Sequence, residues 1–364
     1  MSIDNKNDQL KRECPVNERS QSPIVKVNRL AYMHYYSKDL EKSISFFQDF
    51  GLNLEIKHSD KAYFRARDSR NYSVMIEKAP KDNFVFGFAV DDFHTLEHLA
   101  KKTGAQIERR DCPLGGQFIE LRDKDNNKVE VNYGLNELMS QPPYESDVAT
   151  NSPTAQPRLN DVVRPVFAPS PIEKIGHTVV GVSKIKESIH WYQDTLGLIV
   201  SDFQMLKGES LPTMAFMRCD NGATPSDHHT LAILSTMEVG HAHTAFEVAD
   251  IDLIAMGHQW LKSKKYKHSW GIGRHILGSQ IFDYWRDPAG FAFEHYCDGD
   301  LFDSSVPTGY SYFKSANINQ WGPDVTKDML GNKPSLGLVA GAIKHLFANN
   351  DLNLKRLVRL IQST

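Results

Sequence analysis

The sequence predicts an α+β fold of two domains, each built from paired βαβββ modules. Three observations predict it. Segments of the chain repeat at a nearly fixed offset: Leu30-Ala31-Tyr32 and Ser43-Ile44-Ser45-Phe46-Phe47-Gln48-Asp49 return 145 residues later as Ile175-Gly176-His177 and Ser188-Ile189-His190-Trp191-Tyr192-Gln193-Asp194. The offset then drifts to 158, where Phe88-Ala89-Val90 is echoed by Phe246-Glu247-Val248, and to 164, where Arg122-Asp123 and Glu130 are echoed by Arg286-Asp287 and Glu294. Finally, short apolar runs alternate with segments of helical period, and turn-forming residues separate them.

Taken in order, residues 1–22 are polar and aperiodic and read as a mobile tail. The first domain is expected over 23–135. Val25–Tyr36 reads as a strand, Leu40–Phe50 as a helix, Tyr72–Glu77 and Val85–Val90 as strands, and Phe93–Thr103 as a second helix. Gln117–Leu121 and Lys128–Tyr133 follow as a hairpin across Asp123-Lys124-Asp125-Asn126-Asn127. Residues 136–170 hold six prolines among Ser, Asn and Asp and read as a linker. The second domain is expected over 171–298. Lys174–Val182 is its first strand, and Ile185–Leu196 its first helix, ended by Gly197. Strands Thr213–Cys219, His229–Leu234 and His243–Val248, a helix Ile251–Lys264 and a hairpin Ile281–Trp285/Phe291–Tyr296 across Asp287-Pro288-Ala289-Gly290 complete it. Residues 299–364 form an extension in which Leu336–Ile361 is expected to make one or two amphipathic helices, packed on the core or on another subunit.

Composition narrows the partners. The chain has 364 residues, is 40% hydrophobic and 24% charged, and carries a net charge of -3, which gives no reason to expect nucleic acid or an anionic membrane as partner. Four scattered cysteines, Cys14, Cys112, Cys219 and Cys297, show no CxxC spacing and suit a reducing cytoplasm. The N-terminus lacks the apolar run of a secretory signal. The longest apolar stretch, Leu336–Phe347, is broken by Lys344 and His345 and is too short to cross a bilayer.

The two copies differ where chemistry would sit. Copy one offers Tyr32, Val85 and Glu130 at the positions where copy two offers His177, His243 and Glu294. Two imidazoles and a carboxylate on one octahedral face leave three positions open, the arrangement suited to non-haem Fe(II), with Mn(II) suited to the same donors. One half is then scaffold and the other carries the chemistry. His241 shares a strand face with His243 by the two-residue period and is its competitor for the second ligand. His228, His229, His275 and Tyr284 supply further polar groups able to exchange protons or hold an anionic oxygen.

The segment Gly273-x-His275, then Tyr284-x-x-Asp287-Pro288-x-Gly290-x-x-x-Glu294, resembles the signature of type I extradiol ring-cleaving dioxygenases of the vicinal oxygen chelate superfamily. Ile175-Gly176-His177-Thr178-Val179-Val180 and His243-Thr244-Ala245-Phe246 resemble the strands bearing that family's first two ligands. The likeness spans residues 23–298 and departs at Asp283, where an apolar residue is expected; Gly273 to Trp285 looks closest to a subgroup acting on substituted catechols or trihydroxylated aromatics. The resemblance implies a catecholic substrate and O₂, Fe(II) on His177, His243 and Glu294, and a muconic semialdehyde-type product. It further implies His228 as the acid–base residue, with the choice between His228 and His229 open, and His275 and Tyr284 as hydrogen-bonding partners of the substrate oxygens. A homo-oligomer is expected. A glyoxalase-like lyase or isomerase and a non-catalytic aromatic-binding module are the alternatives within the same superfamily.

Overall fold

Largely buried strands set up two large mixed sheets and a two-stranded one, seen in a computed structural model that describes residues 3–68, 71–144, 151–162, 164, 166–236, 239–313, 318–326, 328–329, 351, 356 and 359. Helix α1 (Ile3–Glu13) comes first. The first half then runs β1 (Arg29–Ser37), α2 (Leu40–Phe50), β2 (Asn53–Lys57), β3 (Lys61–Arg65), β4 (Val74–Lys78), and again β5 (Asn83–Ala89), α3 (Phe93–Thr103), β6 (Glu108–Arg109), β7 (Gln117–Arg122), β8 (Lys128–Tyr133). The second half runs β9 (Lys174–Val182), α4 (Ile185–Leu196), β10 (Ile199–Met205), β11 (Pro212–Arg218), β12 (Ser226–Asp227), β13 (Leu231–Ser235). It continues with β14 (Gly240–Glu247), α5 (Ile251–Ser263), β15 (Lys267–His275), β16 (Ile281–Arg286) and β17 (Ala292–Cys297). β18 (Leu301–Phe302), β19 (Gly309–Tyr312) and β20 (Asn319–Trp321) follow.

The first sheet has the order β2-β3-β4-β1-β5-β8-β7-β6 and the second β19-β10-β11-β13-β9-β14-β17-β16-β15-β20. Each is therefore two βαβββ modules joined along one antiparallel ladder, β1 with β5 or β9 with β14. The expected α+β class with paired modules is what the chain forms. β2, β3, β6, β10, β12, β15, β18, β19 and β20 were not expected as strands.

Two expectations about the ends change. Residues 3–13 are helical rather than a mobile tail, and Leu10 and Val16 are buried in the core. Just beyond, Glu18 accepts from Tyr310 and pairs with Lys11, while the Asn17 carbonyl accepts from Gln193, so the segment is tied to the second half. The extension after residue 298 is partly sheet: β19 and β20 close the two edges of the second sheet. Of Leu336–Ile361, only Asp351, Arg356 and Arg359 are among the described residues.

The halves share one core. Phe46, Phe47 and Phe50 project from α2 and meet Phe293 of β17 with ring centroids 5.4, 4.9 and 6.0 Å apart. His295 donates to the Phe50 carbonyl at 2.7 Å, and Tyr192 donates to Asp123 at 2.9 Å, so the turn at Asp123 is also an inter-half contact.

The repeat is kept at the level of register. Tyr32 stands opposite Gly87, which stands opposite Glu130; His177 stands opposite Ala245, which stands opposite Glu294. A one-residue bulge precedes Tyr32 and an equivalent one precedes His177. In the first half Gly87 leaves room for the Tyr32 ring, which an added Cβ would meet at 2.5 Å. Buried Glu130 is neutralised there by Arg110, whose Nη2 lies 2.6 Å from Glu130, 2.7 Å from the Tyr32 hydroxyl and 2.9 Å from Asn132. The Tyr32 hydroxyl also donates to Glu130. A guanidinium thus fills the place that corresponds to the cluster of the second half.

Arg110→Ala leaves the Glu130 charge buried and alone, and is expected to cost about 3 kcal/mol of stability in urea denaturation, since stripping one partner from a buried pair is far costlier than lacking both. Adding Glu130→Gln to it should recover part of that loss. Phe293→Ala, which opens a cavity between the halves, should lower stability by about 3–5 kcal/mol in the same measurement.

Candidate metal centre

Three adjacent strands, β9, β14 and β17, bring His177, His243 and Glu294 together. His177 Nε2 and His243 Nε2 each lie 3.3 Å from Glu294 Oε2 and 3.4 Å from one another. All three side chains are buried, with Glu294 at 0% exposure. Neither oxygen of Glu294 has a hydrogen-bond donor in bonding geometry among the described residues. Burial pushes the Glu294 carboxyl up, but the two imidazoles outweigh it and hold the group well below the usual carboxylate range. Burial also lowers His177. The result is a carboxylate facing the nitrogens of two imidazoles.

That geometry fits a divalent ion. The centre of a triangle with such edges lies about 1.9 Å from each corner, close to the ~2.0–2.2 Å at which imidazole nitrogen and carboxylate oxygen bind a first-row metal. An ion there would supply the positive charge that Arg110 supplies in the first half. The unpartnered carboxylate, the convergence of three donors and the donor chemistry all agree.

The competing ligand is sent elsewhere by a local irregularity. A bulge between His241 and His243 places two residues of β14 against one step of β9, so the two side chains leave on opposite faces. His241 Nε2 lies 3.1 Å from the Tyr35 hydroxyl, and its ring packs on Phe84 and Phe291 between the halves. The β1–β5 ladder has no counterpart of this second bulge.

His275 and Tyr284 join the centre. His275 Nε2 is 2.9 Å from the Tyr284 hydroxyl and 3.9 Å from Glu294 Oε1, and the Tyr284 ring centroid is 5.1 Å from that of His243. His275 Nδ1 lies 3.2 Å from the Ile318 carbonyl, which can only accept. The proton is therefore on Nδ1, and Nε2 is the acceptor for the tyrosine O–H. Burial lowers His275 to about 4, and burial together with the Glu294 charge raises Tyr284 well above its usual 10. At neutral pH the pair is a neutral imidazole and a phenol.

His228 is not brought to the cluster; its neighbour is. The His229 ring centroid lies 3.9 Å from that of His177, whereas His228 turns away, with Nε2 2.7 Å from Asp202 Oδ2 and its ring against Phe216 and Phe302. The two histidines touch through their Nδ1 atoms at 3.1 Å, with ring planes at 87°. If Nε2 of His228 gives its proton to Asp202, its Nδ1 accepts from His229 Nδ1–H, and His229 Nε2 is left as a free acceptor. Burial, reinforced by the neighbouring imidazoles His177 and His228, lowers His229 well below its ordinary value. Residues 228–230 lie between β12 and β13, outside regular strand, so simple alternation gives no register for them. Arg110 was likewise missed by sequence reasoning, being twenty residues from Glu130 with no periodic signal.

Comparisons with known proteins agree with this geometry. Residues 174–295 match the model of the Glyoxalase/Bleomycin resistance protein/Dioxygenase superfamily. Over 327 residues the chain is 27% identical to Metapyrocatechase 2 of Cupriavidus necator, covering 86% of this chain and 96% of that relative. An extradiol ring-cleaving dioxygenase from B. fuscum has a similar fold, with a TM-score of 0.71 at 16% identity over 86% of this chain and 84% of that one. So does the Mn(II)-bound glyoxalase from Novosphingobium aromaticivorans, with a TM-score of 0.69 at 22% identity over 83% and 94% of the respective chains. At these identities the two solved structures speak to fold alone. The chain is thus similar to a relative along most of both chains, and residues 174–295, with all three converging donors, form a domain of the Glyoxalase/Bleomycin resistance protein/Dioxygenase superfamily.

Proposed function

We propose that this protein is an extradiol dioxygenase, which cleaves the ring of a catechol beside its two hydroxyls and puts both atoms of O₂ into a muconic semialdehyde-type product. The observation that carries the reading is the buried His177–His243–Glu294 triangle with Tyr284 and His275 beside it. The relative named Metapyrocatechase 2 supports the substrate class. Fe(II) is the ion proposed, and Mn(II) suits the same donors.

His177 Nε2, His243 Nε2 and Glu294 Oε2 would hold the ion. The chemistry it supplies when bound is one-electron exchange between a catechol and dioxygen, which as a triplet reacts slowly with a closed-shell ring. The remaining work belongs to side chains. Tyr284, kept as a phenol, donates a hydrogen bond to a substrate oxygen that has lost its proton, stabilising the anion in a site shielded from water. His275, kept neutral with Nε2 as its acceptor, takes the proton that the diol gives up and orients Tyr284 in its absence. His229 is the acid–base residue next to the centre: neutral, buried, with Nε2 free to take a proton and return it when the O–O bond breaks. His228 and Asp202 act through it by fixing its tautomer. A glyoxalase-like reading shares the fold, but the three converging donors with Tyr284, His275 and His229 around them favour ring cleavage.

The test is anaerobic loading with Fe(II), then catechol or a ring-substituted catechol and ¹⁸O₂. A yellow ring-opened acid bearing two ¹⁸O atoms is expected; absence of ring cleavage across the catechol series contradicts the proposal. His177→Ala, His243→Ala and Glu294→Ala should each lose iron and activity while remaining folded by circular dichroism. His229→Ala should keep iron and lose turnover by about 10²–10⁴. His228→Ala should have the smaller effect on turnover; the reverse order would return the acid–base role to His228.

A further inference from the structure

On β16 the side chains alternate, and Asp283 leaves on the face opposite Tyr284. It is fully buried, at 0% exposure, and sits where the family signature has an apolar residue. Its neighbours come from three elements. Oδ1 lies 2.8 Å from His268 Nε2 on β15 and 3.2 Å from His258 Nδ1 on α5. Oδ2 accepts from the Trp285 indole at 2.6 Å, with His258 Nδ1 at 3.1 Å. The two imidazole rings stand 4.8 Å apart at 77°.

A carboxylate this deep needs a positive partner, because burying an unpaired charge costs several kcal/mol. Elsewhere the chain meets that need with fixed cations: Arg110 for Glu130, and Lys267 with Arg286 for Asp328. Among the described residues Asp283 has no Lys or Arg within ion-pair distance; its ion-pair partners are His258 and His268. Imidazole nitrogens, unlike Lys or Arg, are also ligands of divalent metals. His258 Nδ1, His268 Nε2 and an Asp283 oxygen lie within 4.8 Å of one another. The two histidine side chains are 21% and 33% exposed, which opens that side to an entering ion and its waters. Trp285 holds the second carboxylate oxygen, as an outer hydrogen bond commonly orients a ligating carboxylate. Gly271 makes the room: a Cβ there would stand 2.5 Å from Asp283 Oδ1.

We propose that His258, His268 and Asp283 bind a second divalent transition-metal ion of the zinc or cobalt(II) class, through Nδ1, Nε2 and Oδ1. The donor set suits such ions. Its role is structural: it pins α5 to β15 and β16, the strands that carry His275 and Tyr284. The proposal stands independently of the reaction assigned to the first centre.

The experiment uses the full chain, stripped with chelator and titrated with Zn²⁺ by calorimetry and elemental analysis. The wild type should hold two equivalents, His258→Ala/His268→Ala one, and His177→Ala/His243→Ala one. Zn²⁺ should raise the melting temperature of His177→Ala/His243→Ala. No Zn²⁺ held by His177→Ala/His243→Ala overturns the proposal whether or not the other double variant folds. Failure of the first centre gives a different pattern: no ion held by His258→Ala/His268→Ala.

Discussion

A buried carboxylate at one fixed register of each sheet is the constraint around which this molecule is arranged. Glu130 and Glu294 face the same cross-strand positions, one residue beyond an equivalent bulge in the neighbouring ladder. A carboxylate in such a place must be neutralised. The first half does it with Arg110 and closes the remaining space with Tyr32. Among the described residues the second half offers Glu294 only imidazoles, and on the proposed reading the compensating charge comes from an ion. On that reading the same fold yields a self-satisfied site and a metal centre from one difference in counter-charge.

Precision at the centre comes from neighbouring strands. β9, β14 and β17 are consecutive in the sheet, so three donors need no loop to meet. The bulge that separates His241 from His243 divides two identical side chains between two tasks: one packs the boundary between halves, the other faces Glu294. Tyr284 and His275 arrive from β16 and β15, the next two strands outward. Behind the ligands, the aromatic core made by α2 and β17 fixes the strand that carries Glu294.

Much of this was legible in the sequence because it depends on short-range periodicity and on the internal repeat. The offsets of 145, 158 and 164 found Tyr32/His177, Val85/His243 and Glu130/Glu294, and the ladders pair them in that register. β2 alternates only between exposed and half-buried positions, and β15 is rich in glycine and polar residues, so neither stands out as apolar. The helix over 3–13 is mostly polar and owes its place to Leu10 and to contacts hundreds of residues away. His228 and His229 are adjacent and lie outside regular strand, where no period decides which turns inward. Arg110 acts at a distance that only the fold closes.

The central claim is that a metal ion, and not a side chain, completes the buried carboxylate of the second half. Crystals of the iron-loaded protein, measured at wavelengths either side of the iron absorption edge, test it most directly. The account predicts an anomalous peak bonded to His177 Nε2, His243 Nε2 and Glu294 Oε2, and none beside Glu130 and Arg110. Iron absent from that triangle while the protein cleaves catechol, or iron seated in the first half, would contradict it.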